Sequence, residues 1–155
     1  MNSVGTFTMS SAKPVRARSA LARVVAVLVG CDVAMTAPEG SYSVDLASNS
    51  VVSAGKALAL SCLASHSIEG SGDLSAYTFW IVPGASMDSE GHASDGYDLP
   101  NAGVTDFNAQ RIYVVQLYAT DKRAWAHEFL HVLTGSRDHP DFFRSCGLYG
   151  VRRRR

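Results

Sequence analysis

The chain has 155 residues, 46% of them apolar and 18% charged, with 14 Lys and Arg balancing 14 Asp and Glu. This length suits one domain and excludes two comfortable hydrophobic cores. The composition is that of an ordinary globular protein, but the charge is unevenly spread. Lys13, Arg16, Arg18 and Arg23 lie in the first thirty residues, which hold no acidic side chain. The apolar run "VVAVLVGC" follows. A basic start, an apolar stretch and small residues at its end predict a secretory signal over residues 1–30. The run is too short for a membrane-spanning helix, which needs roughly 20 apolar residues.

Leu28-Val29-Gly30-Cys31 resembles the lipobox of bacterial lipoproteins. The resemblance implies cleavage before Cys31, lipid on its thiol, and a protein anchored to a bacterial membrane on its periplasmic or outer side. Without the first thirty residues, ten basic side chains face fourteen acidic ones, a net of −4. Such a body offers no broad basic face, so no nucleic-acid partner is expected. Arg152 to Arg155 read as a solvated, disordered tail over residues 151–155. With Cys31 taken by lipid, Cys62 and Cys146 remain as an even pair. An oxidising compartment permits a bridge between them, and a reducing one leaves two buried thiols.

Residues 31–41 carry Pro38 and Gly40 without periodicity and read as a tether to a domain over 42–150. "SYSVDLASNSVV" places Tyr42, Val44 and Leu46 at alternate positions, the period of a half-buried strand. In "AGKALALSCLASHS" the spacing of Ala57, Leu58, Leu60 and Leu63 fits a short helix about as well as a strand, and helix is the reading adopted. "SIEGSGDLS" is a loop. "AYTFWIVPG" is a strand closed by Pro83-Gly84. Residues 84–108 hold Gly84, Gly91, Gly96, Pro100 and Gly103 and read as a long irregular excursion. "RIYVVQLY" is a second strand. Thr120 or Asp121 can cap the helix that follows. Ala126, Phe129, Leu130 and Leu133 form its apolar face, and Gly135 can end it in a left-handed conformation. The expected fold class is α+β, a short sheet packed beside one principal helix.

That helix carries His127-Glu128-x-x-His131. Two imidazoles one turn apart can bind one Zn²⁺, and Glu128 beside the first can act as a general base toward water. An amphipathic helix with two polar-face histidines gives the same five-residue pattern, so a closing ligand matters. A catalytic zinc takes three protein ligands and keeps an open position. His139, eight residues beyond His131 and past Gly135, is the expected third ligand. Asp138, Asp141, Glu90 and His92 are weaker candidates, and His66 reads as a solvated loop residue.

The strand, the HEFLH helix, the glycine turn and the third histidine, residues 112–149, resemble the zincin metallopeptidases. The tract departs from their named branches. In metzincins the glycine and third histidine follow the HExxH motif more closely, and gluzincins use a later Glu, whereas no Glu follows Glu128 here. "HEFLHVLTGSRDHPDFFRSCGL" is more similar to a group of small bacterial lipoproteins with a minimal zincin core and no assigned activity. In that group one cysteine follows the third histidine and another precedes a "WxVVPG"-like strand, which implies a Cys62–Cys146 disulfide here. Single-strand endoribonucleases with an HGxLHLxGYDH tract also resemble this segment, with two fewer residues before the last histidine and glycine where Glu128 stands.

The zincin resemblance implies peptide-bond hydrolysis, with His127, His131 and His139 holding one Zn²⁺ and Glu128 as base. The expected partners are a peptide or protein substrate and, through the lipid, a membrane. An exposed strand edge within 112–117 or 78–82 is expected to align the peptide. Tyr149, Arg137 and Tyr113 are candidates for oxyanion stabilisation, and Asp106, Asp121 and Asp138 for buried partners of the histidines. The competing expectations are an envelope lipoprotein with a structural or vestigial metal site, and an envelope binding module with no metal.

Overall fold

The computed structural model describes residues 36–88, 93–94 and 101–148. The signal segment, Cys31, Glu90, His92, Tyr149 and the tail at 151–155 lie outside them. Among the described residues, no helix is long and apolar enough to cross a membrane.

The chain enters as strand β1, Tyr42–Val44, and turns quickly into helix α1, Ser50–Ser65. The helix starts earlier than the apolar spacing suggested because Asn49 caps it. Its side chain accepts from the backbone N–H groups of Val51 and Val52, at 3.0 and 3.1 Å. The cap overrides the strand preference of the two valines, and the alternating stretch shrinks to three strand residues. Strand β2, Thr78–Val82, follows the loop, with the short strands β3, Ser86–Met87, and β4, Ala93–Ser94, after it. Strands β5, Gly103–Asp106, and β6, Arg111–Val115, form a hairpin. Asp106 fixes its turn by accepting from the N–H groups of Asn108 and Ala109, both at 2.9 Å. Helix α2, Lys122–Thr134, and the short helix α3, Asp141–Ser145, complete the domain.

The mixed α+β class is present as four strands in the order β1-β2-β6-β5 with three helices. β2 and β6 run parallel at the centre, and β1 and β5 are antiparallel edges. The fold departs from two expectations. Residues 84–108 are not wholly irregular, because they contain the edge strand β5. The segments 78–82 and 112–117 offer no free edge, because β2 and β6 lie inside the sheet.

Alternation in the central strands divides two clusters. Phe79, Ile81, Ile112 and Val114 join the main core with Val52, Ala59 and Leu63 of α1 and Trp125, Phe129 and Leu130 of α2. Val82, Tyr113, Val115 and Met87 form a smaller cluster on the other face. Cys62 of α1 is joined by a disulfide to Cys146, just after α3, across 84 positions of sequence, with the Cα atoms 5.8 Å apart.

Candidate metal centre

Helix α2 is set by local chemistry at both ends. Asp121, not Thr120, is its N-cap; it accepts from the Arg123 N–H at 2.9 Å and pairs with the Arg123 guanidinium at 2.9 Å. Gly135 ends the helix at φ 64°, a conformation that disfavours residues with a Cβ. The reversal turns the Ser136 carbonyl back onto the ring of His131. His131 Nδ1 lies 2.8 Å from that oxygen, and His127 Nδ1 lies 2.6 Å from the carbonyl of Leu148.

Those two contacts decide the tautomers. A carbonyl oxygen can only accept, so Nδ1 carries the hydrogen in both rings and each Nε2 presents a lone pair. The Nε2 atoms of His127 and His131 are 3.3 Å apart, and those of His127 and His139 are 3.0 Å apart. Lone pairs facing each other at 3.3 Å repel unless a cation lies between them. Three nitrogens each about 2.0–2.1 Å from one tetrahedral zinc would stand about 3.3 Å apart. The donor set therefore fits a metal ion in both spacing and chemistry. Among the described residues, His127, His131 and His139 form the one group of three side chains placed to hold an ion. Asp138 and Asp141 do not join it. His66 is exposed and meets Ser145 Oγ at 2.8 Å.

Glu128 projects from the same helix toward strand β5. Its Oε2 accepts from Thr105 Oγ1 at 2.8 Å, and the residue is only 5% exposed. A Cβ on Gly103 would lie 3.0 Å from Glu128 Oε1 and 2.7 Å from the carbonyl of Tyr113, so only glycine leaves this slot open. Burial pushes the Glu128 carboxyl up to about 8, and the Thr105 hydrogen bond partly counters that rise.

Several site residues had no sequence signal. Phe143 of α3 is fully buried and lies under all three imidazoles, with ring centroids 5.4, 5.2 and 5.8 Å from those of His127, His131 and His139. The carbonyls of Ser136 and Leu148 take the place expected for Asp106, Asp121 or Asp138 beside the histidines. Asp106 and Asp121 serve instead as a turn and a cap. Tyr113 is buried on the far face of the sheet and cannot face the centre. The Arg137 guanidinium lies 5.6 Å over the ring of Phe107.

Burial pushes the His127 imidazole down to about 4, helped by the neighbouring His131, and burial also lowers His131. An unfolded histidine titrates near 6.5. Between these values the unfolded chain binds a proton that the folded metal-free protein refuses, so folding stability falls as pH drops from about 6.5 toward 4. The metal-free wild type should lose roughly 3 kcal/mol more than His127→Gln across that window, measured by urea unfolding at stepped pH. Equal losses in the two proteins would remove the desolvated neutral imidazole from the account. Low proton affinity also means weak proton competition, so metal binding should persist below pH 6.5.

No family model, curated protein or solved structure matches the chain.

Proposed function

We propose that the protein is a zinc-dependent metallopeptidase anchored to the bacterial cell envelope through lipid on Cys31. The observation that carries this reading is the convergence of the His127, His131 and His139 Nε2 atoms, with Glu128 following His127 on the same helix. Three protein ligands leave a position open, as catalytic zinc sites require, whereas structural sites are closed by four. A zinc ion, when bound, polarises a carbonyl and acidifies water. Glu128 is the proton acceptor and later the donor to the leaving amine. His127 and His131, oriented by the Leu148 and Ser136 carbonyls, would hold such an ion through Nε2 without losing a proton. Strand β5 is the edge nearest α2 and the place where an extended peptide could add to the sheet.

One observation favours a second reading. Glu128 is buried and already hydrogen-bonded to Thr105, which also suits a site where the metal only holds structure. The acidic surplus of the body gives no support to an endoribonuclease.

The test is to purify the protein with zinc, count the metal, and screen it against a mixed peptide library. One zinc per chain, cleavage abolished by a chelator and restored by zinc, and loss of both in His131→Ala are the expected results. A protein that takes up no stoichiometric zinc ends the reading. Bound zinc without cleavage across a broad library favours the structural site.

A further inference from the structure

We propose that Thr105 is the positioning residue for Glu128, fixing the direction of its carboxylate from the sheet edge. The inference rests on the peptidase reading and adds a residue to it. Thr105 lies on β5 opposite Ile112, and Gly103 lies opposite Val114. Ile112 and Val114 belong to the core on the helix side, so Gly103 and Thr105 share the face turned toward α2. The two positions do different work. Gly103 leaves room: an added Cβ would meet Glu128 Oε1 at 3.0 Å and Cγ at 3.1 Å. Thr105 supplies the hydrogen bond, from Oγ1 to Oε2 at 2.8 Å. Among the described residues it is the single hydrogen-bond partner of that carboxylate.

A free glutamate has three rotatable bonds, and burial alone does not choose their values. One short hydrogen bond does, because the Thr105 hydroxyl is held by a strand paired in the sheet. The hydroxyl has a second acceptor, the backbone carbonyl of Glu128 at 3.2 Å. It can therefore donate to the carboxylate, or accept from a carboxyl that has taken a proton while donating to the carbonyl. In both forms the buried oxygen keeps a partner. Valine has the same shape and no hydroxyl, whereas serine keeps the hydroxyl without the methyl.

The experiment compares wild type, Thr105→Val, Thr105→Ser and Glu128→Gln, each loaded with zinc. Zinc affinity, by competition with a chromophoric chelator, should be the same in wild type and both Thr105 variants, because Thr105 touches no imidazole. Binding of acetohydroxamic acid, whose O–H proton passes to a nearby carboxylate when its two oxygens chelate zinc, should weaken in Thr105→Val and Glu128→Gln and recover in Thr105→Ser. On any peptide the wild type cleaves, Thr105→Val should lower kcat roughly tenfold to a hundredfold, the effect of one hydrogen bond to a charged group, with KM unchanged. Thr105→Ser should restore it. Thr105→Val matching wild type in hydroxamate binding overturns the proposal, and so does loss of zinc along with activity, which marks a folding role. If the wild type cleaves no peptide, the peptidase reading falls and the hydroxamate comparison alone decides on Thr105.

Discussion

Replacing Cys62 and Cys146 together by serine is expected to lower stability by about 4–5 kcal/mol, the chain-entropy value for a closed loop of 84 residues. The loss should also reach the metal centre. The bridge ties α1 to the end of α3, and the segment it secures carries His139, Phe143 and the Leu148 carbonyl. Each of these supports the imidazole cluster from outside α2. Zinc affinity of the double serine variant should therefore fall, by about 10–100-fold, the usual consequence of losing an outer support of a metal ligand. Urea unfolding with and without reductant gives the first quantity, and chelator competition gives the second. A variant that unfolds earlier yet binds zinc as tightly would show that Phe143 and Leu148, both fully packed, hold the segment without the bridge.

What could be read from the chain was what local chemistry encodes. The α2 helix has its cap at Asp121, its apolar face at Ala126, Phe129 and Leu130, and its glycine stop, all within fifteen residues. The strands around Trp80 and Tyr113 announced themselves by aromatic and β-branched residues. Strand β5 did not, and the site explains why. Its two positions facing the helix are Gly103 and Thr105, given over to Glu128 rather than to the core. An edge strand built around a carboxylate shows no hydrophobic alternation, so it was lost among the glycines of 84–108. The partners of the histidines were hidden for a different reason. They are backbone carbonyls, which any residue supplies, and their placement depends on the turn after Gly135 and on the return of the chain through α3. That helix has five residues, too few for periodicity to declare.

The same carboxylate sets the largest functional effect. Glu128→Gln is expected to keep zinc while hydrolysis falls by about 10²–10⁴, the contribution of a positioned general base. Glutamine keeps the length and an oxygen for the Thr105 hydroxyl, so the slot beside Gly103 should not rearrange. A second consequence needs no substrate. The folded carboxyl is raised to about 8 by burial, from an ordinary 4.5. Across that interval the unfolded chain has released a proton that the folded metal-free protein retains. Stability therefore falls as pH rises through the interval, and below 4.5 the group contributes no penalty. Glutamine does not titrate. The metal-free Gln variant should match wild type near pH 4.5 and exceed it above pH 8, by a few kcal/mol at most. A bound cation favours the ionised carboxylate, so added zinc should narrow the difference. Denaturation of both proteins at low and high pH, with and without zinc, measures all of this. Equal cleavage by the Gln variant would assign the base elsewhere. Equal stability at pH 8 would mean that the carboxylate is solvated, and the buried slot formed by Gly103 and Thr105 would lose its part in the site.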